Sequence, residues 1–409
     1  MNPIMFSLIP TDVVQVNNNK RIAFKANSSH VRADRIEKIG EASPTEKSTR
    51  MLLSMLKSSL SGGEVNMAPF KGANYFDWAK LLEIANEASV TAVALESSSK
   101  LPKGTIPADI MGKMFEIQQE TEAKHAHQEK ILGELSERFA KRGIETVQLK
   151  GVGFSMNYPH PNHRFGGDID LFTRIKGTVT ENRSNSSDII DNMMLAEGRE
   201  IDDYNLPKVK HSEFEYDGVR IENHRYFVNK ERLCEAKQID VFLHKSLNPR
   251  AQILPKGTKI LVPSAEFNTV FMAQHAFQHF IFGGIDLHHL TDWAMHIKEN
   301  GLNFPNELKG TRLEQFTYAF TNLANNCLGT KVKAPENKEY EDKLLKTLLN
   351  PEAETAPAGL NNVELLAFKA KRLIRKAKHA REYGGRNVTR VFVETAMNKI
   401  KDPSKLLRR

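Results

Sequence analysis

The stretch Arg164-Phe165-Gly166-Gly167-Asp168-Ile169-Asp170-Leu171-Phe172 decides how this chain is read. Two carboxylates stand at i and i+2, flanked by apolar residues, directly after a glycine pair. In a strand, residues i and i+2 project from one face while the residue between them turns to the other. Asp168 and Asp170 are therefore expected side by side, with Ile169 entering a core. Neighbouring carboxylates repel unless a cation lies between them. Hard oxygen ligands of this kind suit Mg²⁺, which is commonly held by one or two carboxylates together with substrate phosphates.

Upstream, Thr146-Val147-Gln148-Leu149-Lys150-Gly151-Val152-Gly153 reads as an apolar strand running into a glycine turn and then a helix. A junction of that type presents free backbone N–H groups to a phosphate. A phosphate-binding turn followed by a two-carboxylate strand is the minimum apparatus for Mg²⁺-assisted transfer from a nucleotide.

The ordered set Leu149-Lys150-Gly151, Tyr158-Pro159, Arg164 and Asp168-Ile169-Asp170-Leu171 resembles the uncharacterised nucleotidyltransferase family of the DNA polymerase beta-like superfamily. The likeness continues through an acidic-x-His element, Ile221-Glu222-Asn223-His224. It extends to a histidine-bearing helix, His275-Ala276-Phe277-Gln278-His279, and to Asp292-Trp293. It implies a nucleotidyltransferase dependent on Mg²⁺ (or Mn²⁺), moving a nucleoside monophosphate from an NTP to an unidentified hydroxyl- or phosphate-bearing acceptor. On that reading Asp168 and Asp170 hold the metal. Glu222 is the third carboxylate, sharing a second ion or accepting the proton of the attacking hydroxyl. Asp240, in Gln238-Ile239-Asp240-Val241, competes for that place. Gly151 and Gly153 let the backbone approach the triphosphate, and Lys150 and Arg164 neutralise phosphate charge. Lys150 takes a position where the wider superfamily carries glycine. His288 stands where the family often has arginine.

Two other readings compete. Glycosyltransferases also use Asp-x-Asp, with Mn²⁺ and a nucleotide sugar, although their motif usually follows a longer nucleotide-binding region. A non-catalytic, nucleotide-binding regulatory protein would share the fold, and the intact carboxylates count against it. His275 and His279 lie one helical turn apart, a spacing that can bind Zn²⁺. However, Ala276 stands where the metalloprotease pattern has glutamate, so packing is the plainer reading of the pair.

The chain has 409 residues, enough for two or three domains, and is 40% hydrophobic and 26% charged, as ordinary globular proteins are. Its two cysteines, Cys234 and Cys327, cannot make a disulfide framework and set the expectation of a reducing, cytoplasmic setting. No apolar run approaches the ~18–20 residues that span a bilayer, and Met1–Phe6 lacks the features of a signal peptide. The net charge of +8 is uneven. Residues 361–409 carry fourteen Lys/Arg against four Asp/Glu, which leaves −2 for the preceding 360 residues. This argues against a nucleic-acid channel through the core. The run Lys369–Lys378 is a basic helix that can meet a polyanion.

The expected fold is α+β, a small mixed-sheet nucleotidyltransferase domain embedded between helical segments. Residues 1–50 read as a polar extension, 51–142 as helical, 143–245 as the catalytic domain, 246–350 as helical and 351–409 as a basic helical tail. Strands are expected at Ile144–Leu149, Ile169–Phe172 and Gln238–Leu243, with a hairpin of Ser212–Tyr216 and Val219–Arg225 around Asp217-Gly218. Helices are expected at Asp77–Ala85, Ile106–Arg142, Val152–Asn157, Ser187–Ala196, Ala265–Phe282, Leu287–Lys298, Arg312–Asn325 and Asn361–Arg381.

Overall fold

In a computed structural model of the protein, the described residues are 44–177, 185–203, 210–229, 235–282, 284–349 and 361–384. Helix α1 (Pro44–Ser61) already begins inside the segment read as an extension; the rest of that segment lies outside the described residues. α2 (Tyr75–Glu87) starts at a capping box, in which the Asn74 side chain accepts from the Asp77 N–H and Asp77 accepts from the Asn74 N–H. The short α3 (Thr91–Leu95) leads to α4 (Ala108–Ala140), which ends just before Gly143, at φ 71°. β1 (Ile144–Gln148) and the four-residue α5 (Val152–Ser155) follow, then β2 (Ile169–Ile175) and α6 (Asn185–Ala196).

β3 (Ile201–Asp202) precedes the hairpin of β4 (His211–Tyr216) and β5 (Val219–His224). Asp217 and Gly218 both take positive φ, 48° and 74°, the two-residue turn whose twist matches that of its strands. Next come α7 (Ala236–Ser246), β6 (Arg250–Ile253), β7 (Lys259–Val262) and α8 (Ala265–Ile281). α9 (Leu287–Asn300), α10 (Arg312–Leu328), α11 (Lys338–Leu349) and α12 (Asn362–Gly384) complete the described chain. The basic run 369–378 lies on α12; the remainder of the tail lies outside the described residues.

Seven strands form one mixed sheet in the order β3-β4-β5-β2-β1-β7-β6. β1 and β2 are antiparallel, whereas β2 and β5 are parallel. β6 and β7 lie beyond residue 245, in the region expected to be helical, and extend the sheet on the β1 side. The fold is thus α+β, as expected. Alternation divides the sheet's two faces. Ile169, Leu171, Phe214, Val219 and Ile221 enter one core with Ile131, Leu132, Leu135 and Phe139 of α4 and with Ile190 and Met194 of α6. Phe172 turns the other way, into the larger core shared with α8, α9 and α10. Asp170 and Glu222 therefore lie on the face that meets the helical layer.

The segment Gln238–Leu243 is helix, not strand. Over six residues its apolar positions alternate. Over Ala236–Leu247 they follow a helical period: Ala236, Ile239, Leu243 and Leu247 are all buried, while Val241 is exposed. The short window hid the longer period. No helix among the described residues is long and apolar enough to cross a membrane.

Candidate active site

The register of β2 on β5 builds the site. Asp170 pairs with Glu222, and Phe172 with His224. On the other side of β5, the hairpin sets His211 opposite His224 and Glu213 opposite Glu222. Asp170 is completely buried and Glu222 nearly so. His224 Nε2 lies 3.0 Å from Asp170 Oδ1 and 3.3 Å from Glu222 Oε2. His211 Nδ1 lies 3.0 Å from the same Glu222 oxygen. Arg220 Nη2 donates to Glu222 Oε1 at 3.1 Å. Asp168 sits one residue before β2, with its carboxyl beside that of Glu222. The Lys150 ammonium stands 3.2 Å from Asp170 Oδ2.

Ionisation follows from this crowding. Burial, then Asp170 and Glu222, push the Asp168 carboxyl up to about 6 despite the pull of Lys150. Burial opposes ionisation of Asp170 as well, but Lys150 and His224 outweigh it and hold its carboxyl below the usual range. Burial likewise opposes the Glu222 charge, and hydrogen bonds from His211 and His224 hold that carboxyl far below its usual range. Lys150, half-buried and partly desolvated, is held above the usual lysine range by Asp170, Asp168 and Glu222. Lys210 also feels the three carboxylates, but its burial prevails and lowers its basicity. Lys124 stacks over Phe165, 4.3 Å from the ring centroid, within electrostatic reach of Asp168.

Asp168, Asp170 and Glu222 are a three-carboxylate, all-oxygen donor set, which suits a hard divalent ion. His224 contacts both Asp170 and Glu222, and His211 contacts Glu222.

The glycine turn is explained by packing. The Gly153 N–H donates to Gln148 Oε1 at 2.7 Å, so it is not free for a phosphate as the strand-turn-helix reading expected. A Cβ on Gly151 would meet Gln148 Nε2 at 2.8 Å, and φ there is 70°. A Cβ on Gly153 would meet Gln148 Oε1 and Val262 Cγ1, both at 2.8 Å. The following helix ends at Ser155 rather than Asn157.

Arg164 is likewise committed within the protein. Its guanidinium grips Asp292 of α9 through Nε–Oδ1 at 2.8 Å and Nη2–Oδ2 at 2.7 Å, and Nη1 donates to the Gly151 carbonyl at 3.0 Å. Tyr158 Oη donates to Asp292 Oδ1 at 2.6 Å, and His288 Nε2 lies 3.3 Å from Asp292 Oδ2. Arg164 thus bolts the glycine turn to the helical layer. Asp240 lies on a helix and not on a strand: on α7, its Oδ1 accepts from the Phe227 N–H at 3.0 Å.

Asp292 carries a prediction. Burial opposes its charge, but Arg164 holds its carboxyl well below the ordinary 3.8. The pair's stabilisation is full above that value and is lost as pH falls below it. Asp292→Ala would leave Arg164 buried and unpaired, a loss of roughly 3–5 kcal/mol. Urea unfolding at pH 7 and pH 3 should show a large deficit at pH 7 that narrows at pH 3. An equal deficit at both values would contradict the ion-pair account.

Sequence reasoning missed Lys210, Arg220, Lys124, Gln148 and His211. The signal for His211 was present: a two-residue turn at Asp217-Gly218 fixes Tyr216 opposite Val219, and counting back sets His211 opposite His224.

The β2–β5 strand pair thus sets three clustered carboxylates against the helical layer. The family described as uncharacterised nucleotidyltransferase matches residues 74–329, and the chain belongs to it. Among solved structures, an antigenic nucleotidyltransferase-like protein from Paracoccidioides brasiliensis is similar at 14% identity, over 50% of this chain and 94% of that chain, with a TM-score of 0.32. No curated protein matches the chain.

Proposed function

We propose that this protein is a Mg²⁺- or Mn²⁺-dependent nucleotidyltransferase that moves a nucleoside monophosphate from an NTP to a hydroxyl- or phosphate-bearing acceptor. The observation that carries this reading is Asp170 facing Glu222 across paired strands, with Asp168 beside Glu222. Asp168, Asp170 and Glu222 would hold the metal. A bound divalent ion supplies charge neutralisation for the transferring phosphoryl group. Lys150 and Lys210 add cationic charge beside the carboxylates, suited to the triphosphate. Glu222, kept ionised by His211 and His224, is suited to holding the metal at neutral pH. The superfamily placement belongs to this same reading, as does a polyanionic partner at α12, where Lys371 and Lys378 are exposed.

Nucleotide binding should depend on divalent metal, because phosphates would otherwise face three carboxylates. Calorimetry of the full-length protein with each NTP, with and without Mg²⁺, tests this. A much weaker signal without metal is expected, and equal affinity in both conditions would contradict the reading. A screen of the four NTPs for pyrophosphate release, with label transfer to cell extract, tests the reaction itself.

A further inference from the structure

Helices α8 and α9 bring together three imidazoles that the carboxylate site does not use. His275 and His279 lie one turn apart on α8, and His289 lies in the first turn of α9. Ring centroids are 4.7 Å apart for His275–His279, 5.4 Å for His275–His289 and 4.4 Å for His279–His289. One nitrogen from each lies within 4.8 Å of the others. We propose that His275, His279 and His289 form a Zn²⁺ site.

The donor chemistry supports this. Three neutral imidazoles suit a borderline transition metal and not a hard cation such as Mg²⁺. With Zn–N bonds of about 2.0–2.1 Å, tetrahedral ligand nitrogens sit roughly 3.4 Å apart, so the three rings need to close by little more than about an ångström. His279 is exposed and can move that far by rotation. The outer shell is already built: Asp286 Oδ1 lies 2.7 Å from His289 Nδ1, which leaves Nε2 of that ring for a metal. A carboxylate behind a metal-binding histidine fixes its tautomer and raises its basicity. Three protein ligands leave a fourth position for water or an anionic oxygen. His275 and His279 lie within electrostatic reach of Lys150 and Lys210, so the ion would sit near the carboxylate site. The proposal does not depend on nucleotidyl transfer.

The test uses full-length protein stripped with chelator, then titrated with ZnCl₂ by calorimetry and with Co²⁺ by visible absorption. One Zn²⁺ per chain is expected, together with the intense d–d bands of tetrahedral Co²⁺. His279→Ala should lose both, and because His279 is exposed its loss need not disturb folding. Asp286→Asn keeps a helix-capping oxygen but removes the anionic partner, and should weaken binding roughly 10–100-fold. Glu222→Gln should bind Zn²⁺ as tightly as the parent, because a second histidine-containing group, His211-Glu222-His224, is the competing location. The proposal is overturned if the parent binds no Zn²⁺, if His279→Ala leaves binding intact, or if Glu222→Gln abolishes it.

Discussion

Asp170→Asn should reduce nucleotidyl transfer by about a thousandfold or more, because losing a metal-holding carboxylate forfeits several kcal/mol of transition-state stabilisation. Asp168→Asn should do the same to activity. Stability should separate the two variants. A carboxyl with a raised pKa favours folding while protonated and opposes it once ionised. For Asp168 that change runs from the ordinary 3.8 up to about 6, so its full penalty is present at neutral pH. Asp168→Asn removes the penalty, and the protein without metal should be as stable or more so. Asp170 is the reverse case: its charge is balanced by Lys150 and His224 in a buried setting. Asp170→Asn leaves Lys150 without its nearest anion and should cost roughly 1–3 kcal/mol, limited by the partial exposure of Lys150. Activity assays and chemical unfolding at pH 7.5 decide the matter. Retained turnover in either variant would remove the metal-site assignment. Equal stability in the two would remove the Lys150–Asp170 account.

Glu222→Gln is expected to lower transfer by about 10²–10³-fold even when measured on the folded fraction, since it removes the anionic oxygens that His211 and His224 contact. Asp240→Ala should do the opposite. It leaves the buried Phe227 N–H without its acceptor and should cost roughly 1–3 kcal/mol of stability. Its specific activity, measured on the folded fraction, should stay near that of the parent. If Asp240→Ala proves the more damaging to turnover, Glu222 is not the third carboxylate.

Both effects rest on strand pairing, which local sequence reveals only in part. The hairpin was legible because Asp217-Gly218 permits a tight two-residue turn, and the turn fixes the register by counting. The carboxylate strand was legible because alternation around Ile169 and Leu171 leaves Asp170 on the opposite face. Asp168 is expected by the same rule, and the structure sets it just outside the strand while keeping it beside Glu222. α8, α9 and α10 were legible from long apolar periods, and the structure adds their caps at Ser264, Asp286 and Thr311.

The sequence by itself determined most of the helices, the carboxylate pair and the hairpin that carries Glu222 and His224, because turn chemistry and periodicity act between residues near in the chain. Only the tertiary structure decided that β2 lies parallel to β5, since long-range pairing leaves no local signature. The same holds for Arg164, whose partner Asp292 stands 128 residues away and turns an expected phosphate ligand into a bolt between layers. It holds for Asp240, which a short alternating window assigned to a strand and a longer apolar period assigns to a helix. It holds as well for His289, which joins His275 and His279 only because α9 packs against α8.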